Sequence, residues 1–450
     1  MAQEQSSPTA LERTLGLKDL VLLMIGTVIG SGIFIVPAVV LRQTGSVTVA
    51  MLVWLGGGIL SLLGALTYGE LSAANPRAGG LYIFIRDGFG SLPAFLYGWT
   101  LFFVISSGSV ATLAVAFSGY LNKIVSLSPL MAKFAAIAMI LVVTIVNVLG
   151  TRKSANLQDW TTVIKLAAIL LMSAVLLVLG RGLSGTAWSI PADMSFRSLV
   201  SGVGLAMIGV LWAYEGWQYI TFSAGETKSA QQNFPRALSI GSAALIAIYL
   251  LANLAYLAAL GSSKAAQTDS IAASAAAAVA GPAASKLVAL AILVSIFSAT
   301  NGLTLTAPRV YYAMARDGLF FHRLSKINPR FKTPAFAVIA SSAWAIVLAA
   351  TGTFEQLLTY VVFTGWLFYA LGAASIFVYR RKASSGELPY RVPGYPWTPL
   401  LFIFAGAGLV LNTIIAQTGR ALIGLGIVLV GTPAYLLWRR GGKTQAHLPE

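Results

Sequence analysis

Apolar runs of about 20 residues recur from Leu20 almost to the last residue, and that repetition excludes most folds. A helix rises about 1.5 Å per residue, so each run matches a hydrocarbon core about 30 Å thick. Lipid offers no hydrogen-bonding partner to backbone groups, so spanning segments of this kind must be helical. Composition agrees: 57% of residues are hydrophobic and 10% charged, against about 25% charged in a soluble domain. The expected fold is an all-α polytopic membrane protein with twelve transmembrane helices. They fall at 20–41, 48–74, 91–120, 130–149, 160–180, 198–223, 237–260, 285–315, 334–351, 356–379, 398–417 and 420–438.

Charge then orients the chain. The net charge is +16, yet its distribution argues against a nucleic-acid partner. Sorting lysines and arginines by the loops between spans puts 21 on one side and 8 on the other, with Lys165 inside a span. The positive-inside rule places the richer side, and both termini, in the cytoplasm of an inner membrane. The polar residues 1–19 lack the basic start and small-residue cleavage site of a signal peptide, so they read as a cytoplasmic tail, as do 439–450. The segment 316–334 mixes basic residues with Leu319, Phe320, Phe321 and Leu324, which suggests a short amphipathic helix at the inner face. The alanine-rich stretch within 261–284 suggests an external helix.

Cysteine is absent, and His322 and His447 are the only histidines, so no metal or cofactor is expected. Nor is there an intramembrane set of paired aspartates or His-Glu clusters that would make an enzyme.

Two spans differ from the rest in the same way. The first reads MIGTVIGSGIFIVP, with Gly26, Gly30 and Gly32 ahead of Pro37; the sixth reads IGVLWAYEGWQY, with Gly209 and Gly216 around a polar centre. Glycine inside a helix costs about 1 kcal/mol relative to alanine and frees the backbone to unwind. The two spans lie five apart and cross in opposite senses, which suggests inverted repeats at 20–180 and 198–379, with 398–438 appended. Paired interrupted helices of this kind point to a transporter binding site. Close helix packing through small residues is the competing explanation.

At GTVIGSGIF (26–34) the sequence resembles the amino acid–polyamine–organocation superfamily, and within it the L-type amino acid transporters. The likeness continues through YGELSAANPRAGGLYIFIRDGFGSLPAFLYGW (68–99), AYEGWQYITFSAGE (213–226), NFPRAL (233–238), NLAY (253–256) and NGLTLTAPRVYYAMARDGLF (301–320). It implies a 5+5 inverted repeat with broken helices 1 and 6, and alternating-access transport of amino acids, commonly by exchange. In heteromeric relatives a cysteine between spans 3 and 4 bonds a heavy subunit. The loop LNKIVSLSPL (121–130) has none, so amino acids and lipid are the only partners expected.

A broken helix presents free N–H groups after the break and free carbonyls before it, which suit a carboxylate and an ammonium. In the first span the N–H groups of Ser31, Gly32 and Ile33 would take the carboxylate, and Gly30 and Gly32 let it approach. Carbonyls of Val28, Ile29, Trp212, Ala213 and Tyr214 would accept from the ammonium. By resemblance, Trp212 is an aromatic gate, Gln218 and Tyr219 lie near the side-chain pocket, and Tyr256 lies towards the cytoplasmic end of the site. Lys165 sits inside an apolar span, where an ammonium costs a few kcal/mol unless it snorkels or finds partners. It matches a lysine that replaces the sodium of coupled relatives, linking the first span to Ser295 or Ser298.

Glu215 departs from the family pattern and is open to three roles: attracting a cationic side chain, carrying a proton, or pairing structurally. Glu70 and Glu226 read as gate or packing pairs with loop arginines. Sodium-independent amino-acid exchange is the preferred function. Proton-coupled symport, a polyamine or cationic amino-acid carrier, and an amino-acid sensor are the alternatives.

Overall fold

A computed structural model describes residues 11–186, 188–190, 194–352, 354–382, 388–416 and 418–445. Most of the amino-terminal tail and His447 lie outside the described residues. Seventeen α-helices follow in order: α1 Leu17–Val28, α2 Gly32–Thr44, α3 Val47–Ala74, α4 Leu81–Phe89, α5 Ser91–Thr100, α6 Ser106–Asn122, α7 Pro129–Val148, α8 Thr151–Leu179, α9 Phe196–Ala213, α10 Ala230–Gln267, α11 Ile271–Ala280, α12 Pro282–Thr306, α13 Pro308–Arg316, α14 Ala335–Thr351, α15 Phe354–Lys382, α16 Trp397–Ala416 and α17 Thr418–Gln445. No β-strand occurs among the described residues, only an isolated bridge between Leu15 and Thr227.

Ten described stretches are long and apolar enough to cross a membrane, and the bent pair α1–α2 makes eleven. The remaining expected span, 334–351, is the 17-residue α14, about 26 Å long at a helical rise. The protein is therefore a multi-pass membrane protein. Leucine, valine and phenylalanine side chains such as Leu171, Val178, Phe404 and Leu437 point outward from the bundle, as a lipid solvent permits.

Local chemistry sets the helix ends. Ser46, Ser128 and Ser195 each accept a backbone N–H in the first turn of α3, α7 and α9. Proline opens α7, α12 and α13, where its missing N–H leaves nothing unsatisfied. Between α5 and α6 the chain runs through a π turn, Leu101–Ile105, and the Ser107 hydroxyl donates to the Phe102 carbonyl there. At the centre, α1 packs against α8, α10 and α12, α2 against α9, and α12 against α6.

Three expectations change. The segment 316–334 is not an amphipathic helix: α13 ends at Arg316, Gly318 turns at φ +71°, and only a 3-10 turn, His322–Ser325, follows. Pro329 and Pro334 cannot donate to a helix there. The fifth span begins earlier than 160, because polar residues from Thr151 are already helical and Gln158 and Asp159 are buried. Between spans 2 and 3 the chain forms α4, started by Gly79 and Gly80 in positive-φ conformations that favour glycine. The alanine-rich stretch is helical as expected, in the end of α10 and in α11.

Candidate functional site

Both glycine-rich spans are interrupted. α1 ends at Val28 and α2 starts at Gly32, with a 47° bend between them. α9 ends at Ala213, Gly216 takes φ +126°, and a 3-10 helix, Trp217–Glu226, completes the span.

The two breaks face each other at main-chain distance. A Cβ added to Gly32 would lie 2.9 Å from the Cα of Ala213, and one on Gly216 would lie 3.2 Å from the Cα of Val28. Glycine is needed at both places for close approach, and at Gly216 for its φ as well. Gly26 has a plainer role, since a Cβ there would collide with the Gln158 amide and the Thr162 hydroxyl.

A small cavity of about 40 Å³ lies between the breaks. Val28, Gly30, Ser31, Gly32, Trp212, Ala213, Glu215 and Tyr219 line it, with Thr27, Ser109, Leu113, Gly216, Ala299 and Leu303. Most of the expected binding residues thus converge on one point. As the start of α2, the N–H groups of Ser31, Gly32 and Ile33 have no carbonyl one turn back within that helix. The Ser31 hydroxyl is buried and has no hydrogen-bond partner among the described residues.

The carbonyls are distributed differently from expectation. Lys165 is fully inward: its Nζ donates to Gly26 O and Ile29 O, each at 2.6 Å, and to Ser295 O at 3.4 Å. The Ser295 hydroxyl donates to Ile29 O at 3.0 Å and Gly30 O at 3.1 Å. The Ile29 carbonyl is therefore already served twice and is not open to a ligand. Tyr249 donates to Ala213 O at 2.8 Å and to Val28 O at 3.3 Å. Trp212 O accepts from Glu215 N at 3.0 Å. Each of these carbonyls has only two lone pairs to offer.

Ser298 does not meet Lys165. It accepts from Gln158 at 3.3 Å and Thr161 at 3.0 Å, at the end of a buried amide chain. In that chain Asn301 donates to Gln158, Asn147 donates to Asn301, and Ser154 bonds to Asn147. Gln218 turns back to accept from Gly216 N at 3.2 Å, bracing the second break without lining the cavity. Tyr256 is buried on α10, about 39 Å along that helix from Ala230, and does not line the cavity.

Sequence reasoning missed Tyr369 and Tyr249. Tyr369 OH donates to Glu215 Oε1 at 2.8 Å, while Glu215 Oε2 is buried without a hydrogen bond. Glu226 and Arg309 form a fully buried pair at 2.6 Å and share Thr151. Glu70 is held by Arg380 at 2.7 Å and by Val392 N. Both arginines sit on helices, not loops. Leu15 and Thr14 strap the start of the chain to Glu226 O.

Two interrupted helices meet around a small buried cavity inside a bundle of apolar helices, an arrangement that suits a multi-pass membrane transporter. The chain belongs to the amino acid permease family, whose profile matches residues 15–432. It is 33% identical to the serine/threonine exchanger SteT of Bacillus subtilis (strain 168) over 429 residues, 94% of this chain and 96% of that one. It is 31% identical to the human b(0,+)-type amino acid transporter 1 over 443 residues, covering 97% and 90%. Over 435 residues, 95% and 85%, it is 31% identical to the human cystine/glutamate transporter.

Proposed function

We propose that this transporter exchanges amino acids across the inner membrane without sodium, by alternating access between two five-helix repeats, 20–180 and 198–379. Helices in 398–438 are appended to the repeats, and both termini are cytoplasmic. Exchange is supported by the relative that is itself a serine/threonine exchanger. The absence of cysteine supports action without a disulfide-linked heavy subunit.

The observation that carries the reading is Lys165. Its ammonium bridges carbonyls of the first break to a carbonyl of α12. A carbonyl cage of that kind suits a monovalent cation, and here a tethered one fills it. The free N–H groups at the start of α2 are the complementary receptor for a carboxylate.

Counterflow in proteoliposomes, with no sodium and no pH gradient, tests this. Accumulation of labelled amino acid only in preloaded vesicles, lost in Lys165→Ala, is the expected result. Accumulation that requires an inward sodium or proton gradient would replace exchange with symport.

A further inference from the structure

The second break carries a carboxylate that the exchange reading leaves unused. Glu215 lies in the interrupted segment and lines the cavity. One oxygen, Oε1, accepts from Tyr369 on α15; the other, Oε2, is buried and accepts from nothing among the described residues. None of the ion pairs among the described residues includes Glu215. The buried ammonium of Lys165 is committed to the first break.

A buried charged oxygen without a partner is costly, and the cost is relieved only by a donor or a cation. The neighbouring cavity groups do not supply one in this arrangement. Tyr369 holds the carboxylate by one oxygen, and the other is left without a donor among the described residues on a side chain that lines the cavity. The phenol is a neutral donor and does not cancel the charge.

We infer that Glu215, held by Tyr369, is the side-chain selector of the site and takes amino acids whose side chain ends in a cation, such as ornithine, lysine or arginine. Within the proposed exchange, the main chain of the two breaks holds the substrate's carboxylate and ammonium, and Glu215 Oε2 receives the second positive charge. Glu215 is thus a specificity residue and Tyr369 a positioning residue acting through it. The inference rests on the amino-acid transport reading, but not on exchange as opposed to symport.

Two readouts test it. The first is equilibrium binding of labelled ornithine, arginine and serine to detergent-purified protein, which needs no transport. Wild type should bind the cationic amino acids, with Glu215→Gln weakening them at least tenfold and changing serine by less than threefold. Tyr369→Phe should weaken the cationic ligands about threefold to tenfold, with the same sparing of serine. Because Tyr369→Phe removes a single oxygen, it keeps the test alive if Glu215→Gln does not fold. The second readout is counterflow of the same substrates. Loss of serine and ornithine together in Glu215→Gln would show a structural role and overturn the inference. So would a wild type that binds no cationic amino acid. Serine uptake driven by an inward proton gradient, and abolished by Glu215→Gln, would assign the carboxyl to a proton and overturn it as well. Failure of exchange itself would appear differently, as gradient-dependent uptake with the ornithine-to-serine preference still sensitive to Glu215.

Discussion

The two helix breaks look alike in sequence and differ in how their polar groups are served. At the first, carbonyls of Gly26, Val28, Ile29 and Gly30 are met by Lys165, Ser295 and Tyr249, brought in on α8, α12 and α10. At the second, Glu215 has one partner for two oxygens, and the Gln218 side-chain nitrogen has none. The carbonyls of the first break are braced against the bundle; the second break also carries a carboxylate oxygen with no donor among the described residues. The lesson is that glycines can open two helices alike, while the surrounding helices decide how the freed polar groups are served.

The largest expected effect comes from removing the brace. Lys165→Ala takes the ammonium from Gly26 O and from Ile29 O, which keeps only the Ser295 hydroxyl; a buried carbonyl left without its donor costs about 1–3 kcal/mol. Counterflow should fall at least a hundredfold and the thermal midpoint should drop. Retained activity would mean the first break is as free as the second, and the contrast would collapse. Next, Gly216→Ala places a Cβ on a backbone at φ +126° and against Val28, a strain of about 1–3 kcal/mol. A tenfold to hundredfold loss of transport is expected, with Gly419→Ala, where added bulk meets open space, as the neutral control.

Ser295→Ala takes away donation to Ile29 and Gly30 but leaves Lys165 in place. A loss of about 1 kcal/mol in stability and a threefold to tenfold fall in transport should follow, sharpening how much of the brace is lysine. The smallest effect belongs to Tyr249→Phe, which removes a hydroxyl shared between the two breaks. A change in KM below about fivefold is expected, read from concentration-dependent counterflow. A larger change than for Ser295→Ala would show that the breaks are coupled through α10 more than through α8 and α12.

How much of this was readable follows from the same contrast. Backbone events announce themselves in sequence: glycine clusters mark both breaks, and a lone lysine deep in an apolar run signals a charge needing partners. Tyr369 was hidden because it is one of 16 tyrosines, lies 154 positions from Glu215, and stands in a span with no other irregularity. The same holds for Ser298, whose expected partner was Lys165; helix rotation instead turns it to Gln158 and Thr161. The segment 316–334 misled because its mixture of phenylalanine and basic residues mimics an amphipathic helix. Phe320 and Leu324 are buried in the protein itself, while Phe321 alone stays exposed. Tyr256 belongs to a long helix, and nothing in its local sequence shows that it stays out of the cavity lining.

The close approach of Gly32 to Ala213 and of Gly216 to Val28 has a consequence for how such a protein changes over time. What those contacts assemble is peptide groups, and every residue except proline contributes the same N–H and C=O to the chain. Substitutions can alter the shape and charge around the cavity, but they leave this part of the receptor chemically the same so long as the glycines stay. A lineage built on it can exchange one cargo for another by small steps at positions such as Glu215 and Tyr369, while its grip on the common portion of every cargo is inherited intact.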